Sequence, residues 1–331
     1  MRDAMSQLEE EIVDFRTPDG SNLVGILSRP PKDVPEQKAL LILSHSGLVH
    51  KAGSHRGQHN LAHYFASRGY PVFRFDPVGF GDSDGFTPEH INQDLFASIE
   101  SGRFVSSYTG AFDYLASRFK DHRWVVSGVC GGAISSLLGG AENRHPIAGY
   151  ALISCPVVLD GSNFDYSRRE PPQMAVKMLK MYASKVINPK AIWRFVSFQS
   201  DYKLMWKMLR TMVLRTVDKV FRRKKKPAET KPAVAEAPKV VEKPRVALSA
   251  RFIKASREAM QRSKMLFIYG NNDGFLWEFT DLYAAAHLSN AKRDEVLRVV
   301  EHSNHMFQWT EWQQKAFALI QEWLTSTVLL T

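Results

Sequence analysis

The sequence holds 331 residues, 44% of them apolar, and carries a formal net charge of +10. That is enough chain for one large α/β domain with an insertion, or for two domains, with an ordinary globular supply of core residues. Two cysteines exclude a disulfide framework, the polar start Met1–Glu10 excludes a secretory signal, and no apolar stretch is long enough to span a bilayer, so a reducing, cytoplasmic setting is expected.

In chain order, Glu11–Arg16 and Leu23–Ser28 flank the turn signal Thr17-Pro18-Asp19-Gly20 and read as a β-hairpin. The continuous apolar run Ala39–Ser44 suits a strand covered on both faces, and it ends in a loop, His45–His50. Gln58–Arg68 reads as a helix stopped by Gly69, and Tyr70–Phe75 as a strand running into the turn-rich Asp76–Gly85. Gln93–Phe119 is mainly helical in pattern. Trp124-Val125-Val126 enters the glycine-flanked turn Gly128-Val129-Cys130-Gly131-Gly132, a helix-like run follows, and Ile147–Ser154 is the next strand. After a break, Ser249–Arg262 predicts a helix, Met265–Tyr269 a strand, Phe275–His287 a helix, Glu295–Val300 a strand and Gln308–Leu324 a closing amphipathic helix. This alternation predicts an α/β fold with a doubly wound, mostly parallel sheet, whose ligands bind beyond the carboxyl ends of the strands. The core is expected to comprise residues 1–159 and 246–331.

Residues 160–226 break the alternation. They are rich in Met and aromatics and read as an inserted helical cap that would select the substrate. Residues 227–245 have the Pro, Ala, Lys and Glu content of a disordered linker. Between Lys203 and Lys226 stand ten basic residues against Asp218 alone, so the high charge describes one segment rather than the whole protein. A cap helix with solvated lysines is the plain reading. Peripheral contact with anionic lipid at the inner face of the membrane is the sharper one, and nucleic-acid contact is the least favoured of the three.

The chemistry gathers at three strand ends. Strand, tight glycine turn and helix form the setting of a nucleophile elbow, with Cys130 lifted at its tip. The plain alternative is a glycine-rich turn holding a core cysteine. Asp273 follows one late strand, and His305 follows the last. The order Cys130, Asp273, His305 is that of the nucleophile–acid–histidine triad on such sheets.

On these stretches, together with Phe73–Asp76, Gly79–Ser83, Gly270–Asp273, His305–Phe307 and Trp312, the chain resembles the α/β-hydrolase superfamily over nearly its whole length outside the cap and linker. More narrowly, it resembles the cysteine-nucleophile hydrolases associated with exosortase and exopolysaccharide systems, and dienelactone hydrolases share the elbow cysteine. The resemblance implies cleavage of an ester or thioester, with acyl transfer to another acceptor, or a degenerate fold used for binding, as alternatives. His305 would take the proton of Cys130, Asp273 would orient His305, and the N–H of Gly131 with that of Gly47 or Leu48 would bind the oxyanion. The substrate would be a small-molecule or lipid-linked acyl compound.

Competing assignments remain. His302 is a second candidate base and Asp160 a second candidate acid. Asp76 and Asp82 read as structural, Cys155 as core or rim, and His45 as a brace for the oxyanion loop. His50, His55 and His59 lack acidic partners at metal-ligand spacing, so no metal is expected, nor any cofactor.

Overall fold

The computed structural model describes residues 8–88, 92–158 and 248–329. They belong to one compact unit built from Met1–Arg169 and Val246–Thr331. The expected cap, the linker and the basic run Lys203–Lys226 lie outside the described residues, as does Asp160.

Eight strands form one sheet in the order β1-β2-β4-β3-β5-β6-β7-β8. The hairpin strands β1 (Glu9–Arg16) and β2 (Asn22–Arg29) pair antiparallel, and β2 pairs antiparallel with β4 (Val72–Phe75). From there to β8 (Leu297–Val300) every neighbour is parallel, through β3 (Ala39–Ser46), β5 (Arg123–Val129), β6 (Ile147–Ile153) and β7 (Lys264–Gly270). The mostly parallel, doubly wound sheet read from the sequence is thus the one observed.

All eight residues of β3 are buried, and their alternation feeds two separate cores. Leu40 and Ile42 face a cluster with Tyr108 and Phe112 of α3 (Val105–Arg118), Ile134 and Leu137 of α4 (Gly131–Ala141) and Phe252 of α5 (Ala250–Arg262). Leu41 and Leu43 face the opposite cluster, with Leu61 and Phe65 of α1 (Gly57–Ala66) and Phe317 and Ile320 of the closing helix, Thr310–Trp323. Two covered faces explain why the central strands β3 and β5 are buried along nearly their whole length and carry long apolar runs.

The structure moves three boundaries. His45 and Ser46 belong to β3 rather than to the loop after it. The mainly helical stretch Gln93–Phe119 divides into two helices, α2 (Asn92–Glu100) and α3, because Gly102 turns with φ near +90°. The strand expected over Glu295–Val300 begins only at Leu297; Asn290–Val296 is helical, capped by Ser289 accepting the Lys292 N–H.

Candidate active site

Cys130 sits where β5 turns into α4, with φ 56° and ψ −122°. A residue with a side chain holds that conformation only when its surroundings force it. Here the force is backbone packing. A Cβ on Gly132 would lie 1.9 Å from the His45 carbonyl oxygen, and one on Gly128 would lie 2.3 Å from the Gly132 carbonyl oxygen. Strand and helix therefore close on each other only because both flanking positions are glycine. The Cys130 N–H donates to the Ile153 carbonyl at 2.9 Å, which ties the elbow to β6.

Asp273 follows β7 and is buried. Its Oδ1 accepts the Phe275 N–H at 3.0 Å, so the helical turn that begins at Gly274 fixes the carboxylate. His305 follows β8, and its Nδ1 lies 3.2 Å from each Asp273 carboxylate oxygen. Burial disfavours the charged ring of His305, but hydrogen bonding to Asp273 and to Cys130 outweighs it and pushes the pKa up to about 10. Phe275 stands edge-on to His305 at 4.8 Å, and the Ser154 hydroxyl donates to the His305 carbonyl. The structure brings Cys130, Asp273 and His305 to one edge of the sheet. The competing His302 is exposed on the same loop.

The N–H groups expected for the oxyanion need one correction. The Gly47 N–H donates to the Val129 carbonyl at 3.1 Å and is therefore not free for a substrate oxygen. Among the described residues the N–H groups of Leu48 and Gly131 have no protein acceptor. Gly47 matters in another way: it turns with φ +59°, and a Cβ there would touch Cys130 Sγ at 3.4 Å.

His45 braces this corner. Its ring is fully buried, with Nδ1 2.6 Å from the Gly47 carbonyl and Nε2 2.9 Å from the Ser135 hydroxyl. Burial lowers its pKa to about 4, so it is neutral at physiological pH. Gln58, on α1, donates to the His45 carbonyl at 3.0 Å. Asp76 is fully buried and accepts from both the N–H and the ammonium of Lys51, while Asp82 takes the same ammonium. The two aspartates are structural, as read from the sequence. Cys155 is buried, and burial pushes its thiol pKa up. His59 meets His63 and Glu10, a grouping the sequence reading missed.

Lys51 and Ser135 were missed too. Ser135 left a trace, a hydroxyl inside the fully buried, glycine-rich run Gly131–Gly140. Lys51 left none, because its partners are 25 and 31 residues away.

Cys130 and His305 open onto a cavity of about 270 Å³ whose walls are carbon-rich, with Leu48, Leu61, Phe96, Val129, Phe307 and Phe317. The sequence family described as serine aminopeptidase, S33, a hydrolase family, matches residues 35–308. The chain belongs to that family. In this family member the elbow carries Cys130 where the motif usually holds serine. No curated protein matches the chain's sequence.

Solved structures share the fold. A hypothetical protein of Pseudomonas aeruginosa superposes with a TM-score of 0.55 at 17% identity, over 98% of this chain and 95% of its own. An esterase of Pyrococcus furiosus gives 0.52 at 15%, over 97% and 92%. An α/β-hydrolase of a Penicillium species gives 0.52 at 16%, over 97% and 99%. Among the described residues no helix is long and apolar enough to cross a membrane.

Proposed function

We propose that this hydrolase-family protein cleaves an ester or thioester through a Cys130–His305–Asp273 triad. The observation that carries the proposal is the contact of His305 Nδ1 with both Asp273 oxygens while the same histidine lines one cavity with Cys130 at the strained elbow. A charged imidazole is the form that pairs with a thiolate, and the raised pKa of His305 favours it. The Cys130 sulfur attacks the carbonyl carbon, a C–S bond forms, and the oxygen takes up negative charge between the Leu48 and Gly131 N–H groups. Each such donor is worth roughly 3 kcal/mol in the transition state. The bond to the leaving oxygen or sulfur then breaks, and the leaving group takes its proton from His305. Water next gives a proton to His305 and attacks the acyl-thioester, which releases the acid and regenerates the thiolate and the imidazolium. Asp273 holds the ring with Nε2 toward the reaction throughout.

The carbon-rich cavity suits the acyl part of such a substrate. The test is a panel of p-nitrophenyl esters and acyl-thioesters run on wild type, Cys130→Ala and Cys130→Ser, with intact-mass detection of the acyl-enzyme. An acyl adduct on Cys130 and loss of turnover in Cys130→Ala are expected. Undiminished turnover in Cys130→Ala would remove Cys130 as the nucleophile. The associations with exopolysaccharide systems and with anionic lipid through Lys203–Lys226 are further parts of this reading, and vesicle pelleting of the intact chain tests the second.

A further inference from the structure

Away from the cavity, Glu10 of β1 and His59 and His63 of α1 meet beside Arg74 of β4. His59 and His63 are four residues apart, so the helix sets both rings on one face, with centroids 4.2 Å apart. Glu10 Oε1 lies 3.8 Å from His63 Nε2, and one donor atom from each of the three residues lies within 4.8 Å of the others. Glu10 is itself oriented, because Oε1 accepts from the Ser28 hydroxyl at 2.9 Å and from Arg74 at 2.8 Å. Among the described residues His63 Nε2 has no hydrogen-bond partner and is shut off from solvent, a costly state for a ring nitrogen. His59 Nε2 faces the guanidinium of the exposed Arg56 at 2.7 Å, so its lone pair already receives a positive group.

We propose that Glu10, His59 and His63 form a binding site for a divalent transition-metal ion of the zinc class, and that Arg56 is the displaceable cation standing in for it. Two imidazoles and a carboxylate are donors such ions accept. Tetrahedral coordination at ordinary zinc distances needs donors roughly 3.4 Å apart, which side-chain rotation can supply from the present spacing. Ser28 and Arg74 serve as the outer partners that orient the carboxylate, while the charge of Arg74 moderates the affinity. A bound ion would fasten the N-terminal hairpin to α1.

The test is calorimetric titration of the chelator-stripped, full-length chain with Zn2+, with Co2+ absorption as a second readout. Parallel runs on Cys130→Ser remove the elbow thiol as a rival ligand. One ion per chain is expected in both backgrounds, with a raised Tm. His59→Ala and His63→Ala, checked for folding by circular dichroism, should each weaken binding at least about tenfold. Arg56→Ala should tighten it severalfold. No stoichiometric binding by either wild type or Arg56→Ala would overturn the site, and so would affinity unchanged in His59→Ala.

Discussion

His45 Nε2 lies 2.9 Å from Ser135 Oγ, and the other ring nitrogen of His45 lies 2.6 Å from the Gly47 carbonyl. The ring is neutral and has one proton to give. A carbonyl oxygen can only accept, so that proton belongs on Nδ1, and Ser135 must donate to Nε2. The Gly131 carbonyl, 3.0 Å from the same hydroxyl, accepts from it as well, so the Ser135 hydrogen is shared between the two. The arrangement couples the turn carrying Gly47 and Leu48 to the helix that starts at the elbow. Ser135→Ala should leave Nε2 without a donor and cost about 1–3 kcal/mol in urea unfolding. On the proposed mechanism it should also lower kcat more than it raises KM, because the Leu48 N–H loses its fixed position.

Stability should fall toward both acid and alkali, for different residues. His45 has its pKa depressed from 6.5 to about 4. Below about pH 6.5 the unfolded chain takes up a proton that folded His45 refuses, so stability falls as pH drops through that window. His305 has its pKa raised from 6.5 to about 10. Its contribution is fully present below about pH 6.5 and is lost as pH rises toward 10. Urea midpoints measured at about pH 5, 7 and 9 should therefore peak near neutrality. His305→Gln should flatten the alkaline limb and leave the acid limb in place.

Lys51 is the counter-ion of the fully buried Asp76. Lys51→Met keeps the length of the side chain and removes the charge, so it strands a carboxylate in the core. The expected cost is about 3–5 kcal/mol, read from the shift in unfolding midpoint. Asp76→Asn in the Lys51→Met background should recover part of it, since the uncompensated charge is then gone.

Periodicity and punctuation made much of this molecule readable. The runs at β3 and β5 announced a twice-covered sheet, and glycine spacing announced the elbow. The positions of Asp273 and His305 followed from strand ends. The Gly47 N–H could not be read, because a register irregularity between Leu43 and Ser46 turns it toward Val129, and strand register leaves no local mark in a sequence. The start of β8 was missed although Ser289 stood in plain view as a helix cap. Lys51 with Asp76, and Glu10 with His59 and His63, are joined across elements, so only the folded backbone brings them together.

On the proposed mechanism, His305 and Asp273 make Cys130 a reactive thiol. That reactivity is tested most directly by the rate at which iodoacetamide alkylates each cysteine at neutral pH, followed by peptide mass spectrometry. Cys130 should react well ahead of the buried Cys155, and His305→Asn should slow Cys130 by at least about tenfold. Equal Cys130 rates in wild type and His305→Asn, or Cys155 reacting first, would rule out that mechanism.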